Sequence, residues 1–255
     1  MSNSLRFYVN NLVDQATITA SNENALFPAS NLQDQRRTKV FRSTTNSDSI
    51  VFDFQETSEI NSVMVVDEPF NGFGFTTITL ELNGTNTWGS PAFTQSITVS
   101  TEHGVGYAEF NTQSYRFARI VLNSTLGYCE LSKIYIGKNT QIGTDRSVQY
   151  GWSYQDRDIS RVTENRYGQK FSDIILRQRL INFSMNLLSK DEMDNIFEIY
   201  DYCGITKPLF IRIGCDEISN EKRRYAGMFY MNNVPTITNT SFNRYSLSFQ
   251  LEEAT

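Results

Sequence analysis

The alternation of apolar and polar residues along this chain changes character near residue 145. Before that point, short two-faced segments follow one another closely. Thr77-Ile78-Thr79-Leu80-Glu81-Leu82 is representative, with one apolar and one polar side, the period of a strand that buries a single face. The same pattern predicts strands over 6–9, 16–19, 50–54, 61–66, 76–82, 96–100, 108–110, 117–122 and 131–136. Asn71-Gly72, Asn83-Gly84, His103-Gly104 and Leu126-Gly127 mark turns between them. Many short strands, frequent turns and no amphipathic helix predict a β-sandwich or jelly roll over residues 1–140.

A polar, unpatterned stretch from Gly137 to Asp145 reads as a linker. Further strands are predicted around 150–154, 158–166, 174–188, 209–213, 225–231 and 245–251. In 174–188 the odd positions Ile175, Arg177, Arg179, Ile181, Phe183, Met185 and Leu187 turn from basic to apolar. That predicts a long bent strand, exposed at its basic end and buried at the other. Ser189-Lys190-Asp191-Glu192 is a capping box: the Ser189 hydroxyl accepts the Glu192 N–H while Glu192 reaches back. Asp191 and Glu192 also suit the positive end of the helix dipole. Met193, Ile196, Phe197, Tyr200 and Cys203 recur at helical spacing, and Gly204 supplies a stop. The fold class is therefore mainly β: a sandwich, then a β-barrel or split sheet over residues 146–255 with one helix at about 190–203.

Composition narrows the function. The net charge is −5 and the basic residues are scattered, which disfavours nucleic acid as a partner. The two richest basic spots, Arg36-Arg37-Thr38-Lys39 and Lys222-Arg223-Arg224, read as solvated loops, or as contacts for an acidic neighbour. No stretch nears the roughly 18 apolar residues of a membrane span. The opening Met1-Ser2-Asn3-Ser4-Leu5-Arg6 has no charged segment leading into an apolar one, which argues against classical secretion. Cys129, Cys203 and Cys215 stand far apart and read as small apolar residues kept reduced. The Asn-X-Ser/Thr triplets at Asn83, Asn123, Asn182 and Asn239 read as chance in an Asn- and Thr-rich chain.

The candidate chemistry points away from catalysis. His103 is the single histidine, so neither a zinc site nor a nucleophilic triad has its parts, and a surface turn is the better reading. Gly104-Val105-Gly106 is too short to cradle a phosphate. Asp156 with Asp158, and Asp216 with Glu217, read as exposed charges. Phe70, Phe73, Phe75 and Trp88 fall in predicted loops, where they would stack on a sugar or plug an interface. Protein contact is favoured, because phenylalanine offers sugar hydroxyls no hydrogen bond. The mixed charges of 158–166 and Gln169-Lys170 make that region a candidate for pairing between subunits.

Several segments carry a resemblance. Ala25 to Asp34, containing Phe27-Pro28-Ala29-Ser30-Asn31-Leu32-Gln33-Asp34, precedes Phe41-Arg42-Ser43 and Ser49-Ile50-Val51-Phe52-Asp53-Phe54. The pair 115–122 and 129–136 closes the unit. In this order they are similar to the galactose-binding-like (discoidin, F5/8 type C) jelly rolls over roughly residues 20–137. Phe41 stands where that family often has tryptophan, and its paired-cysteine staple is missing. The resemblance implies a structural calcium held near Asn31 and Asp34; a loop-capping role for Asp34 is the alternative.

The Phe-Pro-Ala-Ser-Asn-Leu variant resembles modules of bacteriophage tail proteins. The second half is similar, in shape and order, to the tail-tube and distal-tail group. The carriers are the strand before Ser189, the helix, 208–211, 225–229 and 245–253. Together these imply a non-enzymatic virion protein of a tail tip, baseplate or fibre adaptor, made in the host cytoplasm. It would form a ring or other homo-oligomer through its second half. The jelly roll would face a fibre, another tail protein or a host surface glycan. The competing reading is a carbohydrate-binding module or adhesin without catalytic activity.

Overall fold

The computed structural model describes residues 5–67, 74–100, 104–142, 148, 151–173, 175, 177–214 and 225–254. Within them the protein is mainly β, with two large antiparallel sheets and one α-helix. The first sheet runs in the order Thr17–Ala20, Ser47–Val66, Val105–Ser124, Phe75–Asn83 and Phe93–Ser100. A sixth strand, Lys133–Gly137, pairs with the 62–66 end of Ser47–Val66. A small pair, Phe41–Arg42 with Glu130–Leu131, lies beside it.

Two of these strands are 20 residues long, and each joins two segments that the pattern predicts separately. The alternation breaks at Gln55 and Glu56 because the ladder shifts register between Asp53 and Ser58, and Gln55 takes a φ of 68°. The chain bends there without leaving the sheet. Ile50 and Phe52 before the bulge, and Val63 and Val65 after it, consequently line one core with Leu80, Ile120 and Leu131. Each fully buried side chain of this kind contributes about 1.5–3 kcal/mol.

The second sheet runs in the order Thr140–Ile142, Leu5–Tyr8, Leu209–Ile213, Ala226–Met231, Arg244–Glu253, Arg177–Leu188 and Ser153–Asp158. Thr238–Ser241 adds to Arg244–Glu253. The first strand of the chain therefore belongs to this sheet rather than to the sandwich that follows it, pairing Leu5 with both Ile142 and Ile213. Part of the stretch read as a linker is its neighbouring strand. Alternation shows that Leu5 and Phe7 must be buried; it cannot say in which sheet. The two end strands, 140–142 and 153–158, have no pairing with each other among the described residues.

The helix spans Lys190–Cys203 as predicted, with Ser189 Oγ accepting the Glu192 N–H at 3.2 Å and Glu192 Oε2 accepting the Ser189 N–H at 2.7 Å. Its buried stripe keeps Met193, Ile196 and Cys203 of the expected one and adds Ile199; Tyr200 is partly buried against the same core, and Phe197 stays 47% exposed. The strand before it also departs from expectation. Arg179 is buried, and Leu187 is turned out by a φ of 59° at a bulge, leaving Leu188 to face the core.

Candidate functional site

The sandwich and the second sheet meet in a seam that is part apolar and part ionic. Tyr8, Met64, Val66, Tyr107, Tyr135, Phe210 and Met228 pack together across it. Arg37, one of the two loop arginines read as a surface contact, lies 1% exposed at its edge. Its Nε and Nη2 donate to the Asp67 carbonyl, while Nη1 donates to Glu253 Oε1 at 2.7 Å and to the Ala254 carbonyl at 3.1 Å. Arg179 completes the group, donating from Nη2 to Glu253 Oε1 at 2.6 Å and from Nε to Oε2 at 2.8 Å. Burial alone would raise the Glu253 pKa, but the two guanidiniums outweigh it and hold the carboxyl at about 2. Gly227, at a φ of 152°, makes room: a Cβ there would stand 2.7 Å from Arg179 Nη2.

A second carboxylate crosses the same seam. Glu109 of the sandwich accepts the Tyr8 hydroxyl at 2.5 Å and pairs with Arg212 at 3.0 Å and Arg6 at 3.1 Å. Beside it lies a cavity of about 50 Å³ bordered by Asp14, Lys133 and Tyr202, room for a few waters and no more. The Tyr202 hydroxyl donates to Asp14 at 3.4 Å. Burial raises Asp14 and pushes Tyr202 up to about 12. Perturbed groups in a space this small hold two units together.

The remaining predicted residues do not converge. Asn31 and Asp34 lie on one loop but face different partners. The Asn31 amide donates to the Val40 carbonyl at 2.8 Å, and Asp34 is held by Arg36 through bonds of 2.6 and 2.9 Å. Those bonds keep the Asp34 carboxyl well below its usual pKa. The carbonyls of Asn31 and Lys39 are taken by Lys133 Nζ, at 2.8 and 3.0 Å. These two loop carbonyls therefore already have an ammonium group as partner. Burial pulls that lysine down to about 8.

Phe75 is 8% exposed and packs in the sandwich core, so it is not part of a surface patch. It opens the strand Phe75–Asn83, which starts earlier than the Gly-rich sequence suggests. Phe70, Phe73, His103, Cys215, Asp216, Glu217 and Lys222 to Arg224 lie outside the described residues. Trp88 is half-buried, with the Arg119 guanidinium 4.8 Å above its ring and its indole N–H on Asn86 at 2.7 Å. Arg119 in turn pairs with Glu81. Asp156 and Asp158 are exposed and separately engaged, by Tyr154 and by Ser160. Among the described residues no three His, Cys, Asp or Glu side chains gather in metal-binding range.

One feature stands apart from both cores. Arg161–Glu164 and Lys170–Asp173 form a hairpin that, among the described residues, pairs only with itself, and all eight strand residues are exposed. Its turn is well defined: Asn165 Oδ1 accepts the N–H groups of Tyr167 and Gln169 at 2.9 and 3.0 Å, and Gly168 takes a φ of 78°. Register sets Arg161 opposite Asp173 and Glu164 opposite Lys170, so the mixed charges match within the hairpin. Val162 and Phe171 are 63% and 59% exposed, on opposite faces of the ribbon, and Tyr167 is 74% exposed with the Arg166 guanidinium 4.8 Å from its ring.

No protein-family model matches the chain, and no curated protein matches it in sequence. Among solved structures it is similar to chitosan-binding module 1 of a chitosanase/glucanase from Paenibacillus sp. IK-5, at 19% identity over 51% of this chain and 99% of that one, with a TM-score of 0.41. The lectin domain of lectinolysin, complexed with Lewis B antigen, gives 11% identity over 51% and 97%, at 0.45. A fucose-binding module of Streptococcus pneumoniae gives 14% over 51% and 98%, at 0.44. Each matches about half of this chain. With TM-scores below 0.5, these likenesses decide neither ligand nor activity. No helix among the described residues is long and apolar enough to cross a membrane.

Proposed function

We propose that this chain is a non-catalytic structural protein of a phage tail tip, baseplate or fibre adaptor. It assembles with copies of itself through the second sheet and its hairpin, and presents the sandwich to a fibre, a tail protein or a glycan. The observation that carries this reading is the hairpin 161–173. A two-stranded ribbon without a core is marginal in water, and this one keeps three large apolar side chains exposed. It gains its stability when neighbouring subunits cover its two faces. The sandwich and the second sheet are locked at the seam, so a ring built through one unit would hold the other at a fixed angle.

Light scattering of the full chain over a range of concentrations tests this. The expected result is a defined multimer that Val162→Ser/Phe171→Ser converts to a folded monomer. A multimer unchanged by that double substitution, or a chain that stays monomeric throughout, overturns assembly through the hairpin.

A second reading, a carbohydrate-binding module, draws on Trp88 beside Arg119 and Glu81. An aromatic ring flanked by hydrogen-bonding groups is the usual make-up of a sugar contact. Retention of monomeric protein on an immobilised glycan, lost in Trp88→Ala, would favour it over the first.

A further inference from the structure

We infer that the outer face of the second sheet carries a binding site for a neutral saccharide, separate from the sandwich and from the hairpin. A groove of about 260 Å³ crosses the strands 153–158, 177–188 and 244–253. Its polar lining is Ser153, Asn182, Ser184, Ser248 and Gln250, with Asn182 Nδ2 donating to Ser153 Oγ at 3.3 Å and the Ser184 and Ser248 hydroxyls 2.9 Å apart. These side chains come together because alternation sends Phe183 and Phe249 inward, where their rings stack at 5.0 Å, and sends the intervening residues outward. Register then aligns them across strands, with Ser153 opposite Asn182, Asn182 opposite Gln250 and Ser184 opposite Ser248.

The ligand class follows from what the groove offers. No Lys, Arg, Asp or Glu lines it, so a phosphate, a carboxylate or an ammonium group finds no counter-charge. The ionic pair nearest along the strand, Arg157 with Glu252 at 3.8 Å, neutralises itself. An apolar ligand would strip water from two amides and three hydroxyls and return no hydrogen bonds. A polyhydroxylated neutral ligand satisfies both conditions. Each amide side chain keeps donors and acceptors for vicinal hydroxyls, and each serine oxygen keeps a further lone pair. The volume falls just below the roughly 300 Å³ at which small-molecule clefts begin, which suits one or two sugar units of a longer chain. Trp152, next to Ser153 in the chain, packs toward the core and meets Tyr225 edge-on at 4.7 Å, so its emission reports on the sheet beneath the groove.

The sequence has two tryptophans, so Trp88→Phe leaves Trp152 as the sole indole reporter. The experiment titrates the full-length Trp88→Phe chain with cellohexaose, maltohexaose and N-acetylchitohexaose into the millimolar range, following tryptophan emission. The expected result is a saturable change with at least one of them, weakened tenfold or more by Asn182→Ala/Gln250→Ala. Both residues are exposed, so the double variant should keep the parent melting temperature. No saturable change with any of the three overturns the inference. So does a change that survives the double substitution, or one that appears only when Trp88 is restored, which would place the saccharide on the sandwich. A response to an uncharged Ser/Asn-rich peptide but to no oligosaccharide would also overturn it, and would make the groove a peptide site.

Discussion

The seam and the hairpin treat the same residue types in opposite ways. At the seam, arginine and glutamate are buried and surrounded: Arg37 and Arg179 converge on Glu253, and all their partners lie within the chain. At the hairpin, arginine, lysine and acids sit in water opposite one another, while valine, tyrosine and phenylalanine are left uncovered. Normal polarity is inverted in both places, but only the seam closes its own account of contacts. Buried charge that is fully paired fixes one arrangement, because any other leaves a charge stranded. Exposed apolar surface on a registered ribbon fixes nothing until something covers it. The molecule is thus rigid where its units meet and unfinished where it points outward.

The largest effect that would break this contrast is at Glu253. Glu253→Gln leaves two buried guanidiniums short of their counter-charge and should cost about 3–5 kcal/mol, read from chemical denaturation. The same carboxylate sets an acid limit. Its folded value of about 2 lies below the ordinary 4.5, so its stabilisation is present above pH 4.5 and is lost as pH falls toward 2. Denaturation series across that window should show a steeper loss for the parent than for Glu253→Gln.

Smaller effects sharpen the contrast. Ser189→Ala removes the helix cap and should cost about 1 kcal/mol, since it takes away the oxygen that accepts the Glu192 N–H. Phe171→Ser should shift stability by no more than about 0.5 kcal/mol while lowering the mass measured by light scattering. A loss of several kcal/mol there would mean that the hairpin is packed rather than waiting. The smallest effect is expected from calcium: with Lys133 Nζ on the loop carbonyls, added calcium or EDTA should leave the melting temperature unchanged.

Much of this fold was legible in the chain because its signals are local. The capping box at Ser189 needs four consecutive residues, and the strand Leu209–Ile213 needs five. The departure on the helix is local too: Phe197 and Ile199 lie on nearly opposite sides of it, and only packing decides which side turns in. The seam was hidden for the opposite reason. Arg37 and Glu253 are separated by 216 positions, and no pattern near either one announces the other. A loop arginine and a strand-end glutamate read as solvated wherever their partner is out of view. The groove was hidden in a different manner. Ser184 and Ser248 are the polar half of ordinary strand alternation, and only register turns them into a surface.

The placement of Leu5–Tyr8 has a mechanical consequence. Because that strand and Thr140–Ile142 lie side by side in the second sheet, the chain enters and leaves the sandwich along a paired stem. A force applied to the sandwich is therefore divided between two covalent paths, each anchored by strand hydrogen bonds. Pulled along the stem, those bonds are loaded together in shear; a single terminal linker would let them open one at a time, as a zipper does.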